Sequence, residues 1–368
     1  MDGWKNKNGI LQIYPRSYRD ANGDGVGDLP GIIETLSYIK GEPDSLNIDA
    51  IWLSPFYPSP MADFGYDIAD YCDVDPLFGT IDDFKQLLHE AHERDISVMI
   101  DLIPNHTSNQ HTWFKEALSD PDSPKRDYYI FRDGKETQPP NNWLSVFGGP
   151  SWEKVDGKNE YYLHSFLKEQ PDLNWHNPAV QEEFRKIIHY WCELGVDGFR
   201  VDAIRWMGKD LTFNDEPVNP HFKVGEDPYN ELLHIYSQAT PELDIYLKVL
   251  TDAAKEYPNR IILFEAYTDD DSPAESQLKR LYTIDPMVAA PFHFGGIQAA
   301  RSPRLLAEVA STGKNATPIE SLPFYCFGNH DKPRLIGRVG EDVAKAIALI
   351  QLTLPGVPVI YYGEEIGM

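Results

Sequence analysis

Gly198-Phe199-Arg200-Val201-Asp202-Ala203 closes a helical pattern, Pro178–Leu194, after a break at Gly195. Pro178–Leu194 has the apolar spacing of an amphipathic helix, and the hexapeptide is a short β-rich run bounded by glycine. Working outward, the alternation recurs. β-rich runs lie at Gly9–Tyr14, Ala50–Ser54, Ser97–Ile103, Asp197–Asp202, Arg260–Glu265, Met287–Phe292, Leu322–Phe327 and Pro358–Tyr362. Further helical patterns cover Ile81–Arg94, Tyr246–Tyr257 and Glu341–Thr353. Strands separated by helices form parallel sheets, and eight such runs predict a closed (β/α)8 TIM barrel of α/β class.

One connection breaks the rhythm. Between 107 and 173 the helical pattern fails and Pro, Gly, Asn and aromatic residues dominate, as in Gln138-Pro139-Pro140-Asn141-Asn142-Trp143. A structureless loop of that length is improbable in a compact domain, so a small inserted domain is expected after the third strand. The expected division is 1–106 for the first part of the barrel, 107–173 for the insert and 174–368 for the rest of the barrel.

The 368 residues suffice for a barrel of about 250 residues with insertions. A formal net charge of -25 repels phosphate backbones and anionic lipid, so neither nucleic acid nor a membrane is expected as a partner. No apolar run approaches a membrane span, and Met1–Lys5 carries no apolar signal segment. Cys72, Cys192 and Cys326 lie far apart with no CxxC pair. Free thiols in a reducing, cytoplasmic compartment are expected.

In such a barrel the active site lies at the C-terminal ends of the strands. Tyr66 and Asp67 follow the second strand, and the third runs into Asn105 and His106. Arg200 and Asp202 close the fourth, Glu265 the fifth, and His330 and Asp331 follow the seventh. Arg200 and Asp202 are two apart and share a face of their strand. The guanidinium favours the ionised carboxylate. Alone, such a pair is more often structural than catalytic; the convergence of the other strand ends on the same mouth makes Asp202 a candidate nucleophile. Two chemistries fit these residues. Strand-end carboxylates bind divalent metals in some barrels, and a pair of carboxyl groups cleaves glycosidic bonds. In the second case Glu265, behind apolar Ile261–Phe264 and among other acids, suits the proton donor.

Asp101-Leu102-Ile103-Pro104-Asn105-His106, Gly198–Ala203, Phe264-Glu265-Ala266, Phe327-Gly328-Asn329-His330-Asp331 and Gln170-Pro171-Asp172-Leu173-Asn174-Trp175 together carry a resemblance. From about Gly9 to its end, the chain resembles the α-amylase family of glycoside hydrolases (family 13), in the α-glucosidase and oligo-1,6-glucosidase branch. The resemblance implies that the insert is domain B. It implies Asp202 as nucleophile, Glu265 as general acid/base and Asp331 as a third acid holding sugar hydroxyls. Tyr66, Asp67, His106, Arg200 and His330 would contact the same sugar, with Phe147 and Phe166 of the insert near the pocket. Ala203, after the nucleophile, implies α-1,4 rather than α-1,6 linkages. The implied substrates are small α-glucosides such as maltose and short maltooligosaccharides, attacked in exo, retaining mode. Sucrose isomerases and trehalose synthases, which transfer rather than hydrolyse, share the three acids. Non-catalytic relatives commonly lose one, and this chain keeps all three. Family members continue through an eighth helix and a β-sandwich. The run ending Tyr361–Met368 therefore implies an uncovered apolar flank over the eighth and first strands, with a C-terminal fragment or second chain completing the barrel.

Asp20-Ala21-Asn22-Gly23-Asp24-Gly25-Val26-Gly27-Asp28 places oxygen side chains at alternating positions around glycines, like the start of a calcium loop. The twelfth position is Gly31 rather than Glu, so this is no EF-hand. Asp20, Asn22, Asp24, the Val26 carbonyl and Asp28 are the candidate ligands. The resemblance implies a structural Ca2+ or Mg2+ there, and no organic cofactor.

Overall fold

The apolar runs become the staves of a closed parallel barrel. The computed structural model describes residues 3–268, 273–299 and 302–368. In chain order the strands are β1 (Ile10–Ile13), β2 (Ala50–Leu53), β3 (Ser97–Leu102), β4 (Phe131–Asp133), β5 (Trp152–Lys154), β6 (Glu160–Leu163), β7 (Gly198–Val201), β8 (Ile261–Phe264), β9 (Ala289–His293), β10 (Phe324–Cys326) and β11 (Val357–Tyr361). The barrel closes in the order β1-β11-β10-β9-β8-β7-β3-β2. β4, β6 and β5 form a separate antiparallel sheet, inserted between the third and fourth barrel strands.

Each barrel strand lies within its expected run or extends one residue past it. β9 starts later than the run Met287–Phe292 predicts. Asp285 is the reason: its carboxylate accepts from Met287 N at 3.1 Å and its carbonyl from Val288 N at 3.1 Å, so a turn holds the chain before the strand begins. The helix expected at Tyr246–Tyr257 spans Leu243–Lys255. Helix ends follow local chemistry. Thr80 and Asp83 cap Ile81–Glu93 reciprocally. Asn177 caps Pro178–Leu194, whose end is Gly195 at φ 115°.

The buried strand residues sort by parity into two layers. Ala50, Trp52, Ile261 and Leu263 belong to one cluster. Ile51, Leu53, Ile262 and Phe264 join helix residues such as Phe84, Trp191 and Leu247 in the other. The first fills the barrel and the second seals it against the helices. Gly198 is required where β7 meets β8, because a methyl group there would lie 2.6 Å from Ile261 Cγ2. The inserted region has its own core of Ile130, Trp143, Trp152, Tyr161 and Leu163, joined by Phe213 and Tyr236 from the long connection after β7.

The apolar flank expected beside the first and last strands is present. A groove of about 900 Å³ there is lined by Leu46, Ile48, Leu335, Leu352, Ile360 and Ile366. Leu352 is 60% and Ile366 69% exposed. All three cysteines are free thiols. Among the described residues no helix is long and apolar enough to cross a membrane.

Candidate active site

The floor of the barrel mouth is built around one guanidinium. Parallel register places Arg200 opposite Asp101 on β3 and Leu263 on β8. Its side chain is 1% exposed. Nη1 donates to Asp101 Oδ1 at 2.9 Å and to Asp202 Oδ1 at 2.5 Å, while Nη2 donates to Glu265 Oε1 at 2.6 Å. The fork thus joins the candidate nucleophile and the candidate acid. Three carboxyl groups share one positive charge. Burial, the largest cause, therefore prevails. It pushes Asp202 up to about 7 and Glu265 up to about 8, with Arg200 opposing and neighbouring carboxylates adding to the rise. Asp101 rises to about 6 for the same first reason. Arg200 favours the ionised Asp202 carboxylate, but burial and the neighbouring carboxylates outweigh it, so the cluster retains protons near neutrality.

Ala203 sits in the left-handed region at φ 50°, an uncommon conformation for a residue with a Cβ. The turn aims its N–H at Glu265 Oε2, 2.7 Å away. Here the site stores backbone strain and uses it to hold the acid.

Asp202, Glu265, Asp331, Ala203, His106, His330 and Tyr66 line one pocket of about 590 Å³, a size suited to a small ligand. Phe147 and Phe166 line it too, with Phe166 4.9 Å from Trp206 and 5.6 Å from Phe147 between ring centroids. Phe147 is 55% exposed at the rim. Asp331 accepts from Tyr267 Oη at 3.2 Å and Asn329 Nδ2 at 3.1 Å. Tyr66 stacks on His330 at 5.3 Å and 3°. Burial depresses both His106 and His330 to about 4, so each is a neutral hydrogen-bonding ring near pH 7.

Two expected sugar contacts lie behind the pocket wall. Arg200 acts through the acids it holds. Asp67 is fully buried, and its carboxylate accepts from Ser59 Oγ at 2.9 Å, Ala62 N at 3.0 Å and Asp63 N at 2.9 Å, shaping the loop that carries Phe64 and Tyr66. Sequence reasoning missed Tyr267, Trp206, Asp63 and Lys332, which line the same pocket, and Asp101 as a partner of Arg200. It also missed Lys209, a buried ammonium. Lys209 donates to Asn105 Oδ1 at 2.9 Å and to the Trp206 carbonyl, and pairs with Asp172 at 3.1 Å. It ties the pocket wall to the chain entering and leaving the insert.

The Asp20–Asp28 loop stands apart from the pocket lining. Asp20 accepts from Gly23 N at 2.6 Å and Gly25 N at 2.8 Å, Asn22 from Asp24 N at 2.9 Å, and Asp24 from Val26 N at 2.8 Å. The Gly25 and Gly23 amides hold the Asp20 carboxyl below its ordinary value. Asp28 caps the helix Leu29–Glu34 through Gly31 N. Among the described residues no group of three or more His, Cys, Asp or Glu is gathered as a ready cage. The loop's donors are all hard oxygens, the set that suits Ca2+ or Mg2+.

A closed parallel barrel with a guanidinium-linked carboxyl pair in its mouth defines the class of protein. Residues 12–368 match the family described as alpha amylase, catalytic domain. The chain is 40% identical to an alpha-glucosidase of Apis mellifera over 98% of its own length and 62% of that protein's. It is 38% identical to an oligo-1,6-glucosidase of Bacillus cereus, over 99% and 66% of the two chains. A solved alpha-glucosyl transfer enzyme superposes with a TM-score of 0.91 at 40% identity, covering 100% of this chain and 69% of that one. The chain belongs to the alpha-amylase family of glycoside hydrolases. It spans 62–66% of the lengths of these curated relatives.

Proposed function

We propose that the protein is a retaining, exo-acting α-glucosidase releasing terminal α-1,4-linked glucose from maltose and short maltooligosaccharides. The observation that carries this reading is the Arg200 fork, which binds the Asp202 and Glu265 carboxyls within a pocket that also presents Asp331. Asp202, as carboxylate, attacks the anomeric carbon while the glycosidic oxygen takes the proton of Glu265 and departs. Glu265, now a carboxylate, removes a proton from water, and the hydroxide oxygen displaces Asp202 to release glucose. Neutral His106 and His330, Tyr66 and Asp331 hold the ring hydroxyls, and the aromatic rim of Phe147, Phe166 and Trp206 offers apolar faces to the sugar. Ala203 supports the α-1,4 preference.

A 2-deoxy-2-fluoroglucosyl fluoride should trap a covalent glucosyl-enzyme, with the label on Asp202 by peptide mapping. Labelling of another residue would refute the assignment. A second reading, glucosyl transfer as in sucrose isomerases or trehalose synthases, is favoured by the 0.91 TM-score to the transfer enzyme. Products from maltose, sucrose and trehalose separate the two: hydrolysis releases glucose in excess of transfer products.

The Asp20–Asp28 loop is proposed to hold a structural Ca2+ or Mg2+ through Asp20, Asn22, Asp24, the Val26 carbonyl and Asp28, away from the chemistry. The unpaired thiols favour a reducing, cytoplasmic location.

A further inference from the structure

β1 contains one polar side chain, Gln12, and it is fully buried. A buried amide is costly unless its hydrogen-bonding groups are used. Gln12 uses only one end. Its Nε2 lies 2.8 Å from His330 Nδ1 and 3.3 Å from Ser54 Oγ, while Oε1 has no partner among the described residues. Stability alone gives no reason for this residue, so its N–H groups are the feature to explain.

The opposite side of the His330 ring decides which way the amide points. His330 Nε2 lies 3.2 Å from Asp331 Oδ1 and 2.7 Å from Tyr66 Oη. A carboxylate accepts and cannot donate, so a proton on Nε2 is the arrangement that keeps a lone pair of the ring from facing Asp331. The ring is neutral, so Nδ1 is then a bare lone pair and needs a donor, which Gln12 Nε2 supplies. Tyr66 Oη accepts from Nε2 and gives its own hydrogen to Asp101 Oδ2 at 3.1 Å, and Asp101 is held by Arg200. Donors and acceptors alternate in one direction from Gln12 to Asp101, which accepts from Arg200 on its other oxygen. Reversing the amide would put a lone pair of His330 against the Asp331 carboxylate. It would also turn the Tyr66 hydroxyl away from Asp101.

We infer that Gln12 is a positioning residue: it donates to Nδ1 of His330 and so fixes the tautomer whose Nε2–H faces Asp331 and the sugar pocket. The tautomer follows from the geometry around a ring that burial keeps neutral. Its consequence for rate rests on the glucosidase reading. The Nε2–H then stays on the side of Tyr66 and Asp331, and the line of hydrogen bonds beneath it orients Asp101 against Arg200.

The test combines a spectroscopic and a kinetic measurement. In protein labelled with 15N-histidine, the His330 ring signals are assigned by their loss in His330→Gln. In the wild type, Nε2 should be protonated and Nδ1 bare. In Gln12→Glu at pH 8, a carboxylate faces Nδ1, and Nδ1 should acquire a proton. A protonated Nδ1 in the wild type, or a bare one in Gln12→Glu, overturns the inference. Gln12→Glu and Gln12→Met should each lower kcat on maltose about tenfold, with KM changed less than threefold, as for a contact made in the transition state. Unchanged kcat in both variants overturns the positioning role. If the wild type hydrolyses no α-glucoside, the glucosidase reading fails, and the nitrogen signals still decide the role of Gln12.

Discussion

Arg200→Met tests the central electrostatic claim. The variant keeps much of the side chain's bulk and removes the donors to Asp101, Asp202 and Glu265. Removing one partner of a buried ion pair costs about 3–5 kcal/mol, because the remaining charge is left in a poor solvent. Here the remaining groups can escape that cost by taking protons, so the loss depends on pH. Asp101, Asp202 and Glu265 already hold protons more tightly than in the unfolded chain, at about 6, 7 and 8. A carboxyl raised on folding contributes stability at low pH that is lost as pH rises through its folded value. Without Arg200 these values rise further and the dependence steepens. At pH 8 the variant should lose roughly 6–10 °C in Tm, taking about 2 °C per kcal/mol for a domain of this size. At pH 5, where the acids are largely protonated in either protein, the deficit should be less than half of that.

The rate should respond in the opposite sense. From about 7, the first unit of rise in Asp202 cuts its ionised fraction at pH 7 about fivefold, and each unit beyond that about tenfold. The residual activity should therefore reach its optimum at higher pH than in the wild type. Thermal scans and pH–rate profiles of the two proteins measure both effects. A Tm deficit equal at pH 5 and pH 8, or an optimum shifted downward, would refute the account of three acids sharing one cation.

Wild-type kcat/KM should be bell-shaped, rising as the Asp202 carboxyl ionises near 7 and falling as Glu265 loses its proton near 8, the two values belonging to the pair. Glu265→Gln should abolish the falling limb and leave activated glucosyl fluorides as the best remaining substrates. Ala203→Val places a β-branched residue at φ 50° and should cost about 1–3 kcal/mol in stability. It should also raise isomaltose hydrolysis relative to maltose; an unchanged ratio argues against the linkage role. Chelation by EDTA should lower Tm by several degrees with kcat unchanged at 25 °C, whereas immediate loss of activity would implicate a catalytic metal.

The strands were legible because a parallel strand covered on both faces must be apolar along its length. Asp202 and Glu265 were legible because each ends such a run, and Asp331 because it closes the polar motif that follows one. The link between Arg200 and Glu265 was not. It spans 65 residues and depends on strands β7 and β8 pairing side by side, which no local spacing encodes. The partners of Asp67 were illegible for a related reason: its neighbour Tyr66 faces the pocket, while its own carboxylate accepts from three donors of its loop. Gln12 did leave a signal. An amide in the otherwise apolar Ile10–Ile13 is an anomaly that burial makes expensive, and it could have been flagged on that ground.

In the proposed mechanism the roles of Asp202 and Glu265 follow from the charge each places on the other rather than from either residue alone. A nucleophile and a proton donor held by the same guanidinium would be interchangeable if nothing else distinguished them. Asp202 reaches Nη1 and is opposed by Asp101 and Asp331. Glu265 reaches Nη2 and is opposed by Asp202 itself. Once Asp202 is ionised, its charge becomes a reason for Glu265 to stay protonated. Each group thereby sets the state the other needs. When Asp202 forms its bond to the sugar its charge disappears, and that reason is withdrawn. Glu265 then becomes the stronger acid at the moment it must release a proton. It returns to being the stronger base once Asp202 leaves. The short spacing from Arg200 to Asp202 and the lateral register of β7 against β8 build this coupling into the barrel.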